Sequence, residues 1–112
     1  MSALPLDPGQ LTHRLALEAP NDESDGQGGS LGGWVQAGEV WARIEPIASP
    51  SFTDMAGGER AVVTHRILLR HRHGIGAGQR FREGERVYRI RLVRDPDETR
   101  RMLSCLCEEE AQ

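Results

Sequence analysis

Hydrophobic and polar residues alternate with a period of two through much of the chain, and the longest such run is 63–73. There Val63, His65, Ile67, Leu69 and His71 share one face, while Thr64, Arg66, Leu68, Arg70 and Arg72 share the other. This is the pattern of a half-buried strand with arginines along its outer face, and Gly74-Ile75-Gly76-Ala77-Gly78 ends it in a turn or flexible loop. The same alternation predicts a first strand over 11–18, with Leu11, His13, Leu15 and Leu17 together, and another over 39–45, with Val40, Ala42 and Ile44 inside, stopped by Pro46. Glu83-Gly84-Glu85 separates two further alternating runs, 79–82 and 86–93, as a hairpin. Tyr88, Ile90 and Leu92 point inward there, with Arg89 and Arg91 outside. After the turn Asp95-Pro96-Asp97-Glu98, a last strand over 101–107 brings Leu103, Cys105 and Cys107 to one face. About six short antiparallel strands with turn signals between them give an all-β fold, a small β-barrel or sandwich.

The breaks in the pattern set the organisation. Pro5 and Pro8 make residues 1–10 an extended N-terminal arm, and residues 11–109 form a single β domain with long loops at 20–33 and 46–60, followed by a short acidic C-terminal tail whose last residues are 110–112. The stretch 21–33 is acidic, glycine-rich and nearly free of apolar groups, so it is expected as a floppy hairpin loop; its acids lack the spacing of a calcium loop. The second loop differs in holding Ile47, Phe52 and Met55. These either tuck back onto the core as a satellite cluster or form a docking surface.

At 112 residues the chain is one domain by length, and with 4% aromatic and 38% hydrophobic residues a lone subunit has little apolar mass to bury, which favours an oligomer. All 14 basic residues are arginine, a bias that G+C-rich coding explains, and the net charge of -3 excludes a globally basic nucleic-acid binder. The first ten residues have neither the positive nor the apolar region of a secretory signal, and no run approaches a membrane span, so synthesis and retention in a cytoplasm are expected. Two cysteines give no disulfide framework.

Candidate chemistry is sparse. The Gly74-x-Gly76-x-Gly78 run lacks the Gly-Lys-Ser/Thr ending and helix start of a phosphate loop. His65, His71, His73, Cys105 and Cys107 are zinc-ligand types, but Cys-x-Cys lacks the turn that preforms a structural site, so buried inert thiols and rim histidines are the reading. No nucleophile elbow or spaced carboxylate pair suggests catalysis, and no cofactor is implied. The arginine rows, Arg66, Arg70 and Arg72 with Arg89 and Arg91, admit three readings: a solvated face, pairing with acids such as Glu45, Glu83 or Glu108 on a neighbouring subunit, or contact with nucleic-acid phosphate. With 17 acids against 14 arginines, pairing is favoured over DNA. The alternative function is a small nucleic-acid-binding barrel using the arginine face.

The segments 13–17, Trp34-Val35, Val40-Trp41-Ala42-Arg43-Ile44-Glu45-Pro46, 64–72, Gly74-Ile75, Arg80-Phe81 and Leu103-x-Cys105-x-Cys107-Glu108, in this order, resemble the head-closure, or stopper, proteins of tailed bacteriophages, also called head-tail joining proteins. The likeness runs from Leu11 to Glu109. It implies a small β-barrel-like subunit, non-enzymatic and without cofactor, in a homo-oligomeric ring of six- or twelve-fold symmetry. Such a ring lies below the portal and its adaptor, closes the DNA-filled head and presents the surface to which the tail terminator and tail attach. Packaged double-stranded DNA passes through its channel without sequence-specific contact, and no membrane is involved. Gene transfer agents use similar proteins. The resemblance places the chain in the bacterial cytoplasm during assembly and then at the head-tail joint of a virion or virion-like particle. In that family the loop after the Ile-Glu-Pro strand reaches toward the channel or a neighbouring ring, a role that falls here on Ile47, Phe52, Asp54 and Met55. Relatives carry a charged, aromatic segment of helical character there, whereas Pro46, Pro50 and Gly57-Gly58 disfavour a helix in this chain.

Overall fold

Alternation becomes strand wherever both faces of the backbone find a use. A computed structural model describes residues 8–54, 58, 60–96 and 98–111, and within them the strands are β1 (His13–Pro20), β2 (Trp34–Asp54), β3 (Arg60–Arg70), β4 (Arg80–Glu83), β5 (Arg86–Arg94) and β6 (Met102–Glu109). All neighbours are antiparallel, in the order β1-β2-β3-β6-β5-β4, and β4 pairs back onto β1 through Leu17 and Phe81 to close a barrel. Closure selects the barrel from the two architectures that the sequence allows, and among the described residues it gives each of the six strands a partner on both sides, with β1 and β4 joined over Ala16–Glu18.

The inward positions are largely those expected. Leu15, Leu17, Val40, Ala42, Ile67, Leu69, Tyr88, Ile90, Leu103, Cys105 and Cys107 form one buried cluster with Phe81, and Ile44 packs against it. Leu92 and Leu68 are among the departures from the simple alternation, as are the buried Val87 and Ser104. A bulge shifts the β5–β6 register between Ile90 and Leu92, so Val93 packs on the core in place of Leu92, which pairs with Leu106. Leu68, on the outer face, is only 1% exposed. It lies opposite Arg43, whose guanidinium holds Gln10 at 2.9 Å, so the segment preceding β1 runs along this side of the sheet. That segment is not extended throughout. Pro8–Gln10 form a 3-10 turn and Leu11 is buried, while the rest of the expected arm, residues 1–7, lies outside the described residues.

The two expected loops are mostly ordered pairing. Strand β2 continues through Pro46 to Asp54, where β3 begins to answer it at Arg60, so 46–54 is strand and not an irregular loop, one leg of a projecting β-hairpin whose residues 55–57 and 59 lie outside the described residues. The prolines do not stop the strand because the ladder itself lapses between Pro46 and Ser51, where a missing N–H costs nothing. Beyond the lapse, Ser51, Phe52 and Thr53 pair with Val63, Val62 and Ala61. The 21–33 segment is likewise a small hairpin. It is held by Asn21 N–H to Gly33 O (2.9 Å), Leu31 N–H to Glu23 O (2.8 Å), a bridge between Ser24 and Ser30, and the Asp25 carboxylate accepting from Gln27 and Gly29. Side chain–backbone bonds supply the order that apolar burial does not.

Strand directions sort the connections into two ends. The 21–33 hairpin, the glycine loop after β3 and the β5–β6 turn lie at one end, the loop end. The β2–β3 hairpin, the Gly84-Glu85 turn, the start of β1 and the end of β6 lie at the other, the arm end. Strand β2, 21 residues long, runs the length of a molecule measuring 52 × 29 × 29 Å. The acidic tail is part of this frame: Glu108 and Glu109 belong to β6, and Glu110 N–H donates to Val87 O at 2.8 Å.

Candidate assembly surface

Cross-strand register decides what each arginine meets. Arg66 on β3 lies opposite Glu45 on β2, with Nη1 and Oε1 3.7 Å apart, and Arg43 Nε reaches the same carboxylate at 3.3 Å. The bulge in β5 lets Arg91 donate twice to Glu108 Oε1, at 3.2 and 2.8 Å, while Arg89 reaches Glu110 at 3.5 Å. Thus three of the five arginines expected to meet a neighbouring subunit or DNA find carboxylates within their own chain. Glu45 and Glu108, expected as acids for a neighbour, are engaged here, and Glu83 holds His13 Nδ1 at 2.8 Å. Most of these pairs are half-exposed and contribute about 0–1 kcal/mol each.

Two arginines anchor more. Arg86 forms a two-point pair with Glu109 (2.7 and 3.1 Å) and lies over the Tyr88 ring at 5.2 Å. Its hydrogen bonds draw the Glu109 carboxyl below the usual range, and Glu109 in turn raises the guanidinium. Arg80, only 9% exposed, donates to Glu18 at 2.7 Å and stacks over Trp34 at 4.1 Å, with Arg82 adding a contact to Glu18 at 3.4 Å.

Arg70 and Arg72 stand apart, near the loop end. Arg70 is exposed and has no carboxylate partner among the described residues. Arg72 lays its guanidinium over Gly38, where a Cβ would come within 3.1 Å of Nη2, and donates to Glu39 O at 3.4 Å. Glu39 itself holds Arg14 at 3.0 Å. Between Arg14 and Arg70 lies Trp41, 56% exposed on the outer wall. Alternation implies its outward position, since Val40 and Ala42 point inward.

At the other end, Phe52 is 63% exposed on the projecting hairpin, with Arg60 over its ring at 4.8 Å and Asp54 3.8 Å from Arg60. It does not tuck onto the core. Ile47 is half-buried at the base of the hairpin, beside Glu45, Pro46 and Arg66. Met55 lies outside the described residues.

The histidines and cysteines do not converge. Among the described residues no three of His, Cys, Asp and Glu come together as a metal site. Burial pushes the Cys105 thiol up to about 12 and Cys107 well above its ordinary value, so both remain protonated and unreactive. His65, opposite Cys107, packs edge-on against Tyr88 at 5.1 Å and faces the Thr64 hydroxyl at 2.9 Å. His71 and His73 contact each other at 5.6 Å near the loop end.

This geometry has known counterparts. One is a chain in the virion of a native gene transfer agent particle, 31% identical, with a TM-score of 0.66 over 90% of this chain and 96% of that one. Another is protein SF1141 from Shigella flexneri 2a, solved in solution, 28% identical, with a TM-score of 0.67 over 96% of this chain and 99% of that one. No curated protein matches the chain. The family model for phage head completion proteins matches residues 6–110, and with a barrel shared by a particle component over nearly its whole length, the chain belongs to the phage head completion protein family.

Proposed function

We propose that this protein is a non-enzymatic structural subunit of a phage-like particle, which forms a ring under the portal and its adaptor, closes the DNA-filled head and docks the tail. The observation that carries the reading is the pairing of family membership over residues 6–110 with a barrel that projects hairpins from opposite ends. A part lying between two larger bodies needs two outward-facing features on a rigid frame, and a closed barrel with an acidic hairpin at one end and a hairpin bearing exposed Phe52 at the other meets that need. The arm hairpin is the candidate contact to the channel or the adjoining ring.

The alternative of a free-standing nucleic-acid binder has less support. Arg66, Arg89 and Arg91 are engaged by Glu45, Glu110 and Glu108, which leaves Arg70 and Arg72 as the arginines of that set not held by a carboxylate. Two arginines give a weak electrostatic footprint on a chain of net charge -3.

Electron microscopy of particles from a strain lacking the gene, beside the complemented strain, tests the reading. Heads emptied of DNA with unattached tails are expected from the deletion, and intact tailed particles without the protein would overturn it.

A further inference from the structure

The molecule carries two exposed features that answer each other and that its own fold leaves unjoined. The first is the outer wall around Trp41. Ala42 is fully buried, so Trp41 points out; β1 places Arg14 beside it, and one step along the β2–β3 ladder from the Ala42–Leu69 pair brings Arg70 to its other side. Arg72 lies one turn of the same pattern further, over Gly38. An exposed indole flanked by guanidiniums is a strong anchor, because it combines apolar area with charge that a carboxylate partner can satisfy.

The second feature is the 21–33 hairpin. It contains Asp22, Glu23 and Asp25 and no basic residue, and near its end Leu31 is 60% exposed. Among the described residues no ion pair is formed by these three acids. Its backbone is held in a defined turn, so the leucine and the carboxylates are presented together at little further entropic cost.

We propose that the acidic hairpin of one copy docks on the Trp41 wall of the next, with Leu31 against Trp41 and the Asp22, Glu23 and Asp25 carboxylates toward Arg70 and Arg72. The occupant is a second copy of this chain because the two patches are complementary in charge and each presents an exposed apolar side chain, Leu31 on one and Trp41 on the other. Two different patches on one chain make a head-to-tail contact, which repeats from copy to copy and closes when the rotation allows. The inference deepens the ring reading and rests on it. It also gives the glycine-rich hairpin a role: glycines at positive φ, such as Gly26 and Gly28, shape its turn.

Cysteine cross-linking tests the contact. Leu31→Cys and Trp41→Cys are both at exposed positions, and the native thiols, buried and protonated, stay out of the reaction. Under mild oxidation the double variant, in complemented particles, is expected to give a ladder of disulfide-linked multiples of the 12.4 kDa chain. Either single variant should stop at dimers, and adding Arg70→Glu to the double variant should reduce the ladder at least about five-fold. The same oxidation of concentrated purified protein separates the two readings. A ladder there from a chain missing from particles supports the contact while removing the head-tail role. Particles that contain the double variant without a ladder overturn the contact and leave the head-tail role standing; should duplex DNA at low salt then quench the tryptophan emission of the unsubstituted protein and not that of Trp41→Phe, the wall takes nucleic acid instead. No ladder in either sample and no chain in particles overturns both.

Discussion

Arg80 and Glu18 illustrate how burial decides the value of a charge. Their side chains are 11% and 15% exposed, and Trp34 covers the guanidinium, so removing Arg80 strands a carboxylate that Arg82 only partly serves. Arg80→Ala should lower unfolding free energy by about 2–3 kcal/mol, whereas Arg66→Ala, breaking a half-exposed pair, should cost less than about 1 kcal/mol. Equal urea midpoints for the two variants would refute this ranking. His65 gives a second residue-scale expectation. Burial holds its pKa below the ordinary imidazole value, partly opposed by Glu109 and reinforced by Arg86; Thr64, Tyr88 and Cys107 also neighbour the ring. The unfolded chain therefore takes up a proton that the folded chain resists, so stability is lost as pH falls from about 7 to 5. Glu109, with its pKa lowered by Arg86, loses its stabilising contribution only at more acid pH, as pH falls through that lowered value. Urea midpoints of His65→Gln should be flatter than wild type between pH 7 and 5, and an unchanged slope would count against a buried neutral imidazole.

At the scale of elements, the six strands and most of their inward faces were legible because a barrel imposes a strict period of two on residues such as Leu15, Val40, Ile67 and Leu103. What alternation could not convey was where a ladder lapses. Pro46 reads as a stop, yet β2 carries on past it because its pairing with β3 lapses just beyond Pro46 and resumes at Ser51. Nor could it convey the Leu92 slip, since a bulge depends on the partner strand. The arginine rows were visible, but their partners were not: Arg91 meets Glu108 only through cross-strand register. The arm is separable from the frame. Phe52→Ala should leave thermal stability within about 0.5 kcal/mol of wild type, since the ring is largely exposed, and deleting residues 51–58 should abolish DNA retention or tail joining in particles while leaving the barrel folded. Normal DNA retention and tail joining after that deletion would remove the arm from the proposed role.

The whole molecule is polarised. At the arm end the charges of β5 and β6 are matched within the chain, through Arg86–Glu109, Arg89–Glu110 and Arg91–Glu108. Toward the loop end Arg70 lacks a carboxylate and the 21–33 hairpin carries acids that form no ion pair among the described residues. Association between copies should accordingly weaken with salt, while the fold of the single copy should be much less sensitive.

One strand, β2, belongs to both hairpins, and this has a mechanical consequence. Across the lapse between Pro46 and Ser51 the covalent chain of β2 carries a pull on the arm hairpin into the barrel wall and on toward the base of the acidic hairpin. Because β1 and β3 flank β2 in antiparallel ladders, such a load acts along the strands and strains many hydrogen bonds at once, whereas a load across them would unzip each in turn. The barrel is thereby a stiff tie rod between its two ends, able to carry tension or thrust from one neighbour to another without first unravelling.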